Sequence, residues 1–238
     1  MASKKPPQEA ASPRKKAPRN APPPFDWTWI DWPAAQATFA PQAPIVYVVG
    51  YGDADAAERL DSPTVLRGIA QGFGVARIVD CRAVCGGARV REGWSQGLIK
   101  EALKGGPEYE WKGGDLGGKD RFRGRGCTAE GLKWLDALAT RESVMLLCAC
   151  SARHACHLHR IVATDLQTRE KRDAMGLTGP GPRFVHLYLD GTCVGGADLL
   201  VATDTDTMFQ AFSLQIRPEY KAEAHAWQDA RSSGEPIE

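Results

Sequence analysis

Apolar and polar positions along the chain predict strands that are separated by helices. The run Ile-Val-Tyr-Val-Val at 45–49 is continuously apolar and β-branched, which is typical of a strand buried on both faces. The segment 63–73 then repeats apolar residues at helical spacing, with Ser62 as N-cap and Gly74 as the stop. The pattern therefore predicts a buried strand followed by an amphipathic helix.

The same alternation continues through the rest of the chain. Further strands are predicted at 76–82, 108–112, 144–148 and 183–189. Further helices are predicted at 94–106, at 129–141 with Thr128 as cap, and from about Cys156 to Lys171. This order predicts an α/β fold of flavodoxin-like or Rossmann-like kind, with a mostly parallel sheet and helices on both faces. Ligands of such sheets bind where the carboxyl ends of the strands meet the following loops.

Four regions follow from these patterns. Residues 45–190 form the α/β domain, preceded by a disordered basic tail at 1–24 and a Trp-rich arm at 25–44. A C-terminal helical extension is predicted at 191–238, with its helix at 206–216. Hydrophobic residues make up 43% of the chain and charged residues 25%, which is ordinary globular usage, so one sizeable core can form.

The basic tail points to a polyanionic partner. It carries six Lys and Arg residues against one Glu. Such a segment can hold nucleic acid by releasing counterions from phosphates, or it can simply keep the terminus soluble. We expect nucleic acid, DNA in the first place, as the partner, held by the tail and by arginine-rich loops.

Cysteine usage and hydropathy indicate the compartment. Seven cysteines with C-x-C and C-x3-C spacings fit a reducing compartment better than a disulfide framework. No run approaches the roughly 18 apolar residues that a membrane span needs. The expected location is the cytoplasm, without a membrane.

Two loops after predicted strands carry candidate binding residues. Gly50, Tyr51 and Gly52 follow the first strand, where glycines permit close backbone approach to a ligand and Tyr51 offers a stacking face. A plain tight turn is the alternative. Asp80 and Arg82 follow the second strand and can polarise water or grip a phosphate, or can simply pair with each other.

Two tryptophans add stacking surfaces near these loops. Trp94 closes a glycine-rich loop in which Arg89 and Arg91 can reach a polyanion, and Trp111 lies in the short strand. Aromatic faces of this kind can stack on nucleic-acid bases.

The stretch from Cys148 to Arg160 is the densest in reactive side chains. Its spacing, C-x-C-x5-C-H-x-H, lacks the C-x2-C pairs of structural zinc sites, so we expect neither a metal nor another cofactor. Cys148 or Cys156, at a strand end that faces a helix N-terminus, would be a competent nucleophile, although buried cysteines are commonly inert. His157 and Arg160 are placed to meet a phosphate or a developing negative charge, or to form a solvated surface pair.

The motifs together carry a resemblance to a known family. From about residue 45 to 190 the chain resembles the bacterial domain of unknown function 488 family in the order and spacing of Gly50-Tyr51-Gly52, Val79-Asp80-Cys81-Arg82, Leu116-Gly117-Gly118, Leu147-Cys148-Ala149 and Cys156-His157 with Arg160. The resemblance implies a flavodoxin-like or Rossmann-like layer with a polar site at the strand ends, and it names no reaction. Cys150 stands where the family tends to have an acidic residue. Either His159 or Arg160 takes the place of the arginine that follows Cys-His in the family.

We expect an enzyme that acts on nucleic acid or nucleotides, specifically by cleaving an N-glycosidic bond, as in DNA base excision. Its catalytic residues would be Asp80, His157 and Cys148. The residues expected to bind the substrate are Gly50, Tyr51, Gly52, Arg82, Trp94, Trp111, Cys156 and Arg160. The alternatives are a thiol-dependent enzyme that uses Cys148 or Cys156, and a non-catalytic nucleic-acid-binding protein. The main hypothesis requires the three loops to enclose one polar cleft.

Overall fold

The computed structural model describes the predicted α/β domain and short pieces beside it. The described residues are 31, 33–34, 44–51, 62–87, 90–118, 127–150, 156–188, 209–213, 217–223 and 225–226, without the side chains of 159–161, 188 and 209–213. The predicted basic tail, most of the Trp-rich arm, Gly52, Arg89 and the side chains of His159 and Arg160 lie outside this description.

Six strands form one sheet, and every pair of neighbours runs parallel. The strands are β1 (Ile45–Gly50), β2 (Arg77–Asp80), β3 (Glu108–Trp111), β4 (Val144–Cys148), β5 (Arg183–Tyr188) and β6 (Phe209–Ser213). Their order in the sheet is β3-β2-β4-β1-β5-β6. The predicted α/β fold is therefore confirmed.

Helices cover both faces of this sheet. They are α1 (Thr64–Gly72), α2 (Gln96–Ala102), α3 (Gly113–Leu116), α4 (Ala129–Ala139), α5 (Thr164–Gln167) and α6 (Arg169–Met175), with a π-helical segment at Leu158–Ala163 that leads into α5. The helix predicted from Cys156 to Lys171 is thus broken at Thr168, whose backbone is extended, with ψ at 123°.

The buried strands send alternate side chains to the two faces. In β1, Tyr47 and Val49 pack with α1 and α2, whereas Val46 and Val48 pack with α4 and the π-helical segment. We call these the α1 face and the α4 face. This two-sided burial explains why the strand sequences are continuously apolar rather than alternating.

The ends of β1, β2 and β4 lie side by side. β4 is the central strand, with Cys148 opposite Gly50 of β1 and Leu147 opposite Asp80 of β2. The chain leaves β1 and β2 toward α1 and α2, but it leaves β4 toward the opposite face. Adjacent strand ends whose connections diverge in this way create the crevice in which α/β proteins bind ligands.

The segment after residue 206 differs from its predicted helix. Phe209–Ser213 is a strand that pairs in parallel with β5 from Phe184↔Phe209 to Tyr188↔Ser213. Five residues are too few for periodicity to separate helix from strand. Without this partner, the backbone N–H and C=O groups on the outer side of β5 would form no strand hydrogen bonds. Pairing with them favours the strand over the helix.

Candidate metal centre

Three cysteines and one histidine converge on the α4 face, where β4 ends. Cys148 is the last residue of β4, Cys150 follows it, and Cys156 and His157 begin the helical segment that returns along the sheet. One donor atom from each of the four residues lies within 4.8 Å of the others. Among the described residues, this is the group of His, Cys, Asp or Glu side chains that could hold a metal ion.

Strand and helix geometry explain why these residues meet. Leu146 and Cys148 point to the α4 face because they alternate with Leu147, which packs on the α1 face. Leu158 and Val162 are fully buried against the same α4 face and anchor the start of the helical segment. The cysteine at the strand end and the pair at the helix start are therefore brought together by core packing on either side of the turn.

The cluster is buried on one side and accessible on the other. The exposed fraction of Cys148 is 2% and that of Cys156 is 1%, whereas Cys150 and His157 are half-buried. The backbone N–H of Cys150 donates to the Cys148 sulfur at 3.4 Å. This hydrogen bond ties Cys150 to the sulfur at the end of β4.

The imidazole of His157 is oriented with one nitrogen toward the sulfurs. Its Nδ1 lies 3.4 Å from the Cys148 sulfur, and its Nε2 lies 3.0 Å from the carbonyl oxygen of Leu116. Because a carbonyl can only accept, Nε2 carries the proton of the neutral ring. The lone pair of Nδ1 then faces the thiols. A carbonyl that holds the other ring nitrogen in this way is the usual means by which proteins orient a histidine toward a metal ion.

The three thiols of the cluster differ in pKa. Hydrogen bonds from the thiols of Cys148 and Cys156 hold the pKa of Cys150 far below its usual value. The contact with Cys150, the contact with Cys156 and burial raise the pKa of Cys148 well above the usual range. The Cys148 thiol lowers the pKa of Cys156, but the Cys150 sulfur and burial raise it to about 12. The metal-free cluster is thus one thiolate solvated by two thiols, a set of protons that a cation can replace.

Two further thiols lie near the cluster without joining it. Cys81 is fully buried, which raises the pKa of its thiol well above the usual value, and its sulfur donates to the carbonyl of Val79 at 3.6 Å. Cys127 donates to the carbonyl of Leu116 at 3.6 Å, and burial raises its pKa to about 11. Neither sulfur belongs to the group of donor atoms that lie within 4.8 Å of one another.

Asp80 and Arg82 form a closed ion pair on the α1 face. Oδ1 of Asp80 accepts from Nε of Arg82 at 2.8 Å and from its backbone N–H at 3.1 Å. Oδ2 accepts from Nη2 of Arg82 at 2.6 Å and from the hydroxyl of Tyr109 at 2.5 Å. The exposed fraction of Asp80 is 0% and that of Arg82 is 3%. The carboxylate is therefore bound by protein groups on both oxygens and has no contact with solvent.

The predicted stacking residues mostly stack on each other. The rings of Tyr51 and Trp94 are 4.5 Å apart and 18° from parallel, and both residues are buried. Arg82 donates to the Trp94 carbonyl at 2.6 Å, and the guanidinium of Arg91 lies 5.8 Å from both ring centroids. Trp111 is 39% exposed and donates its indole N–H to the Arg82 carbonyl at 2.9 Å.

The structure does not bring Asp80 and His157 into one cleft. Asp80 follows the alternation of Ile78 and bonds to Tyr109 on the α1 face, whereas Cys148, Cys156 and His157 lie on the α4 face. The sheet stands between the two groups. The three predicted loops do share one edge, but their side chains form two separate clusters there.

The sequence analysis missed two contributors and discounted a third. Tyr109 was assigned to a strand without a role, and the Leu116 carbonyl is a backbone group that composition does not mark. Cys150 was weighed as part of the pattern C-x-C-x5-C-H-x-H, which was not expected to hold a metal, and was left out of the candidate site. The signal available for Cys150 was its position two residues beyond a strand end that faces Cys156-His157.

Comparisons with protein families, curated proteins and solved structures found no match for this chain. In the part of the chain that the structure describes, no helix has the length and apolar character needed to cross a membrane.

Proposed function

We propose that this protein binds one zinc ion through Cys148, Cys150, Cys156 and His157. The observation that carries the proposal is the convergence of the four donor atoms within 4.8 Å. A tetrahedral zinc ion holds its ligands at about 2.3 Å for sulfur and about 2.0 Å for nitrogen, which places neighbouring sulfurs roughly 3.8 Å apart. The cluster needs only a small contraction to reach that geometry.

The donor set favours zinc over other ions. Three thiolates and one imidazole form a soft set that suits zinc, whereas magnesium and calcium take oxygen ligands. Four donors within 4.8 Å also suit a single ion better than an iron–sulfur cluster, whose inorganic sulfides hold the protein ligands farther apart.

The role that fits this geometry is structural. Four protein ligands leave no open position for water or substrate, which is the mark of a structural rather than a catalytic zinc site. The ion would join the end of β4 to the start of the following helical segment. Through the bond from His157 to Leu116 it would also support the loop after α3. The proposed function is thus a zinc-stabilised α/β domain whose loops at one sheet edge are organised by the metal.

Elemental analysis of protein purified under reducing conditions tests the proposal. We expect one zinc per chain in the wild type and far less in Cys150→Ser. Cys85→Ser is the matched control, because that thiol bonds to the Gln96 side chain and lies outside the group of four donors. A wild-type protein that takes up no zinc after reconstitution overturns the proposal.

Catalysis on nucleic acid or nucleotides stays a prediction. Asp80, its proposed carboxylate, is engaged by Arg82 and Tyr109 and has no solvent contact. The thiol-dependent alternative is also weakened, because Cys148 is 2% exposed and Cys156 is 1% exposed. Assays for abasic sites in DNA carrying modified bases, run with the wild type, would test base excision directly.

A further inference from the structure

The imidazole of His157 contacts both a carbonyl and a glycine of one short loop, Leu116–Gly118. The Leu116 carbonyl accepts a hydrogen bond from Nε2 at 3.0 Å, on the side of the ring away from the sulfurs. A Cβ at Gly118 would lie 2.8 Å from Nδ1 and 2.9 Å from Cγ of the same ring. Bare backbone at 118 therefore allows the ring to occupy its place beside the thiols.

The loop is itself fixed by its own packing. The backbone N–H groups of Asp115 and Leu116 donate to the Lys112 carbonyl at 3.0 and 2.7 Å, and the Leu116 side chain is fully buried. A Cβ at Gly113 would overlap the carbonyl oxygen of Arg82, so α3 sits directly on the backbone that follows β2. The Leu116 carbonyl is consequently a rigid acceptor.

We propose that Gly118 and the Leu116 carbonyl are positioning groups of the zinc site, which present Nδ1 of His157 to the ion. The inference rests on the proposed zinc binding and adds the source of the histidine's orientation. Groups that orient a metal-bound histidine from outside the ligand shell commonly contribute 10- to 100-fold in metal affinity, because they fix the tautomer and the ring.

Gly118→Ala tests the close approach of loop and ring. The φ angle of Gly118 lies outside the left-handed region, so alanine fits the backbone and its methyl group must displace the imidazole. We expect the dissociation constant for zinc to rise about 10- to 100-fold in chelator competition. The cobalt-substituted variant should lose intensity in the visible bands of a four-coordinate site.

Gly114→Ala, four residues earlier in α3, is the matched control. A Cβ at Gly114 meets nothing within 4 Å, and its φ is also outside the left-handed region. We expect wild-type zinc affinity and a wild-type cobalt spectrum. A second control compares His157→Cys alone with the double variant His157→Cys and Gly118→Ala. Without an imidazole, Gly118→Ala should no longer change the affinity for zinc. An undiminished effect would overturn the proposal.

The outcomes separate this inference from the proposed function. If the wild type binds no zinc, the proposed function fails and the inference fails with it. If the wild type binds zinc and Gly118→Ala binds it equally well with the same spectrum, the positioning role is overturned while zinc binding stands. Long-range proton–nitrogen NMR of the zinc-loaded wild type needs no variant. It should show the proton on Nε2 of His157, and a ring bound to zinc through Nε2 would overturn the proposal.

Discussion

Two polar clusters lie at one edge of the sheet, and they differ in whether they are complete. The Asp80–Arg82 cluster on the α1 face satisfies its own charges, since both carboxylate oxygens accept from Arg82 or Tyr109. The cysteine and histidine cluster on the α4 face instead gathers four donor atoms within 4.8 Å of one another, a set that the zinc ion proposed above would complete. Burial alone therefore does not mark a functional site. The informative feature is a set of ligand atoms that converge on one point rather than on an ion-pair partner.

Breaking the complete cluster should have the largest effect on stability. Asp80→Asn leaves the Arg82 guanidinium buried without its countercharge, which we expect to lower the free energy of unfolding by about 3 to 5 kcal/mol. Urea unfolding at neutral pH measures this loss. Glu142→Gln is the control, because Glu142 pairs with Arg77 at a half-exposed site and should cost less than about 1 kcal/mol. Equal losses in the two variants would contradict the comparison.

Filling the incomplete cluster should stabilise the protein by a smaller amount. A ligand at 100 times its dissociation constant adds about 2.7 kcal/mol to the free energy of unfolding. We expect that gain when zinc is added to metal-free protein under reducing conditions, and we expect a strong chelator to remove it. Cys150→Ser should lose most of the gain. The gain should persist in Cys85→Ser, whose thiol bonds to Gln96 away from the cluster. Identical unfolding curves with zinc and with chelator would contradict the prediction.

Alkaline pH should weaken the complete cluster through Tyr109. Burial, and then the bond to Asp80, raise the pKa of Tyr109 well above its usual value of about 10. Below pH 10 this stabilisation is fully present. Above it the unfolded chain releases the proton while the native state retains it, so stability falls by at most about 1.4 kcal/mol per pH unit. Tyr109→Phe should remove this part of the slope.

Comparing the wild type with Tyr109→Phe isolates the contribution of the Tyr109 hydroxyl. Burial also raises the pKa of Tyr47, to about 12, but Tyr47 contributes equally to the wild type and to Tyr109→Phe. Urea unfolding between pH 9 and 11 should therefore show that the free energy of unfolding falls more steeply with pH in the wild type than in Tyr109→Phe. The difference corresponds to the release of at most about one proton on unfolding. Parallel pH profiles would show that Tyr109 does not hold its proton in the native state.

Most of the fold was predictable because buried parallel strands have a plain signature. The apolar runs predict β1, β2 and β4 closely, and Thr128 caps α4 as predicted, accepting from the backbone N–H of Gly131 at 3.0 Å. The prediction was wrong for Phe209–Ser213, where pairing with β5 decides the structure and five residues give no clear period. The local sequence pattern identifies a helix or strand only where the segment is long enough to show a clear period. In shorter segments, contacts with neighbouring elements decide the structure.

The site was only partly predictable. The sequence indicates which residues lie at the carboxyl ends of the strands, but it does not indicate on which face of the sheet their side chains lie. Asp80 and Cys148 were correctly placed at the carboxyl ends of neighbouring strands. Which face each side chain takes depends on the register between strands, here Asp80 opposite Leu147, and continuously apolar strands contain no alternation from which to read it. The expectation of no metal compared this stretch only with paired cysteines in a short loop, whereas the proposed zinc site takes its donors from two different elements.

Alkylation of thiols gives the smallest perturbation and tests accessibility within the incomplete cluster. Cys150 is half-buried and its pKa is lowered by its thiol neighbours, so the metal-free protein should react at Cys150 faster than at Cys148 or Cys156. Zinc should slow this reaction, because the bound thiolate donates its lone pair to the ion. Cys85 is an internal control, since it is half-buried outside the cluster and its reaction should not depend on zinc. Mass spectrometry of peptides after brief iodoacetamide treatment measures each rate. If zinc slows Cys150 and Cys85 alike, the metal does not bind at the end of β4, and the contrast between the two faces no longer distinguishes a binding site from a closed ion pair.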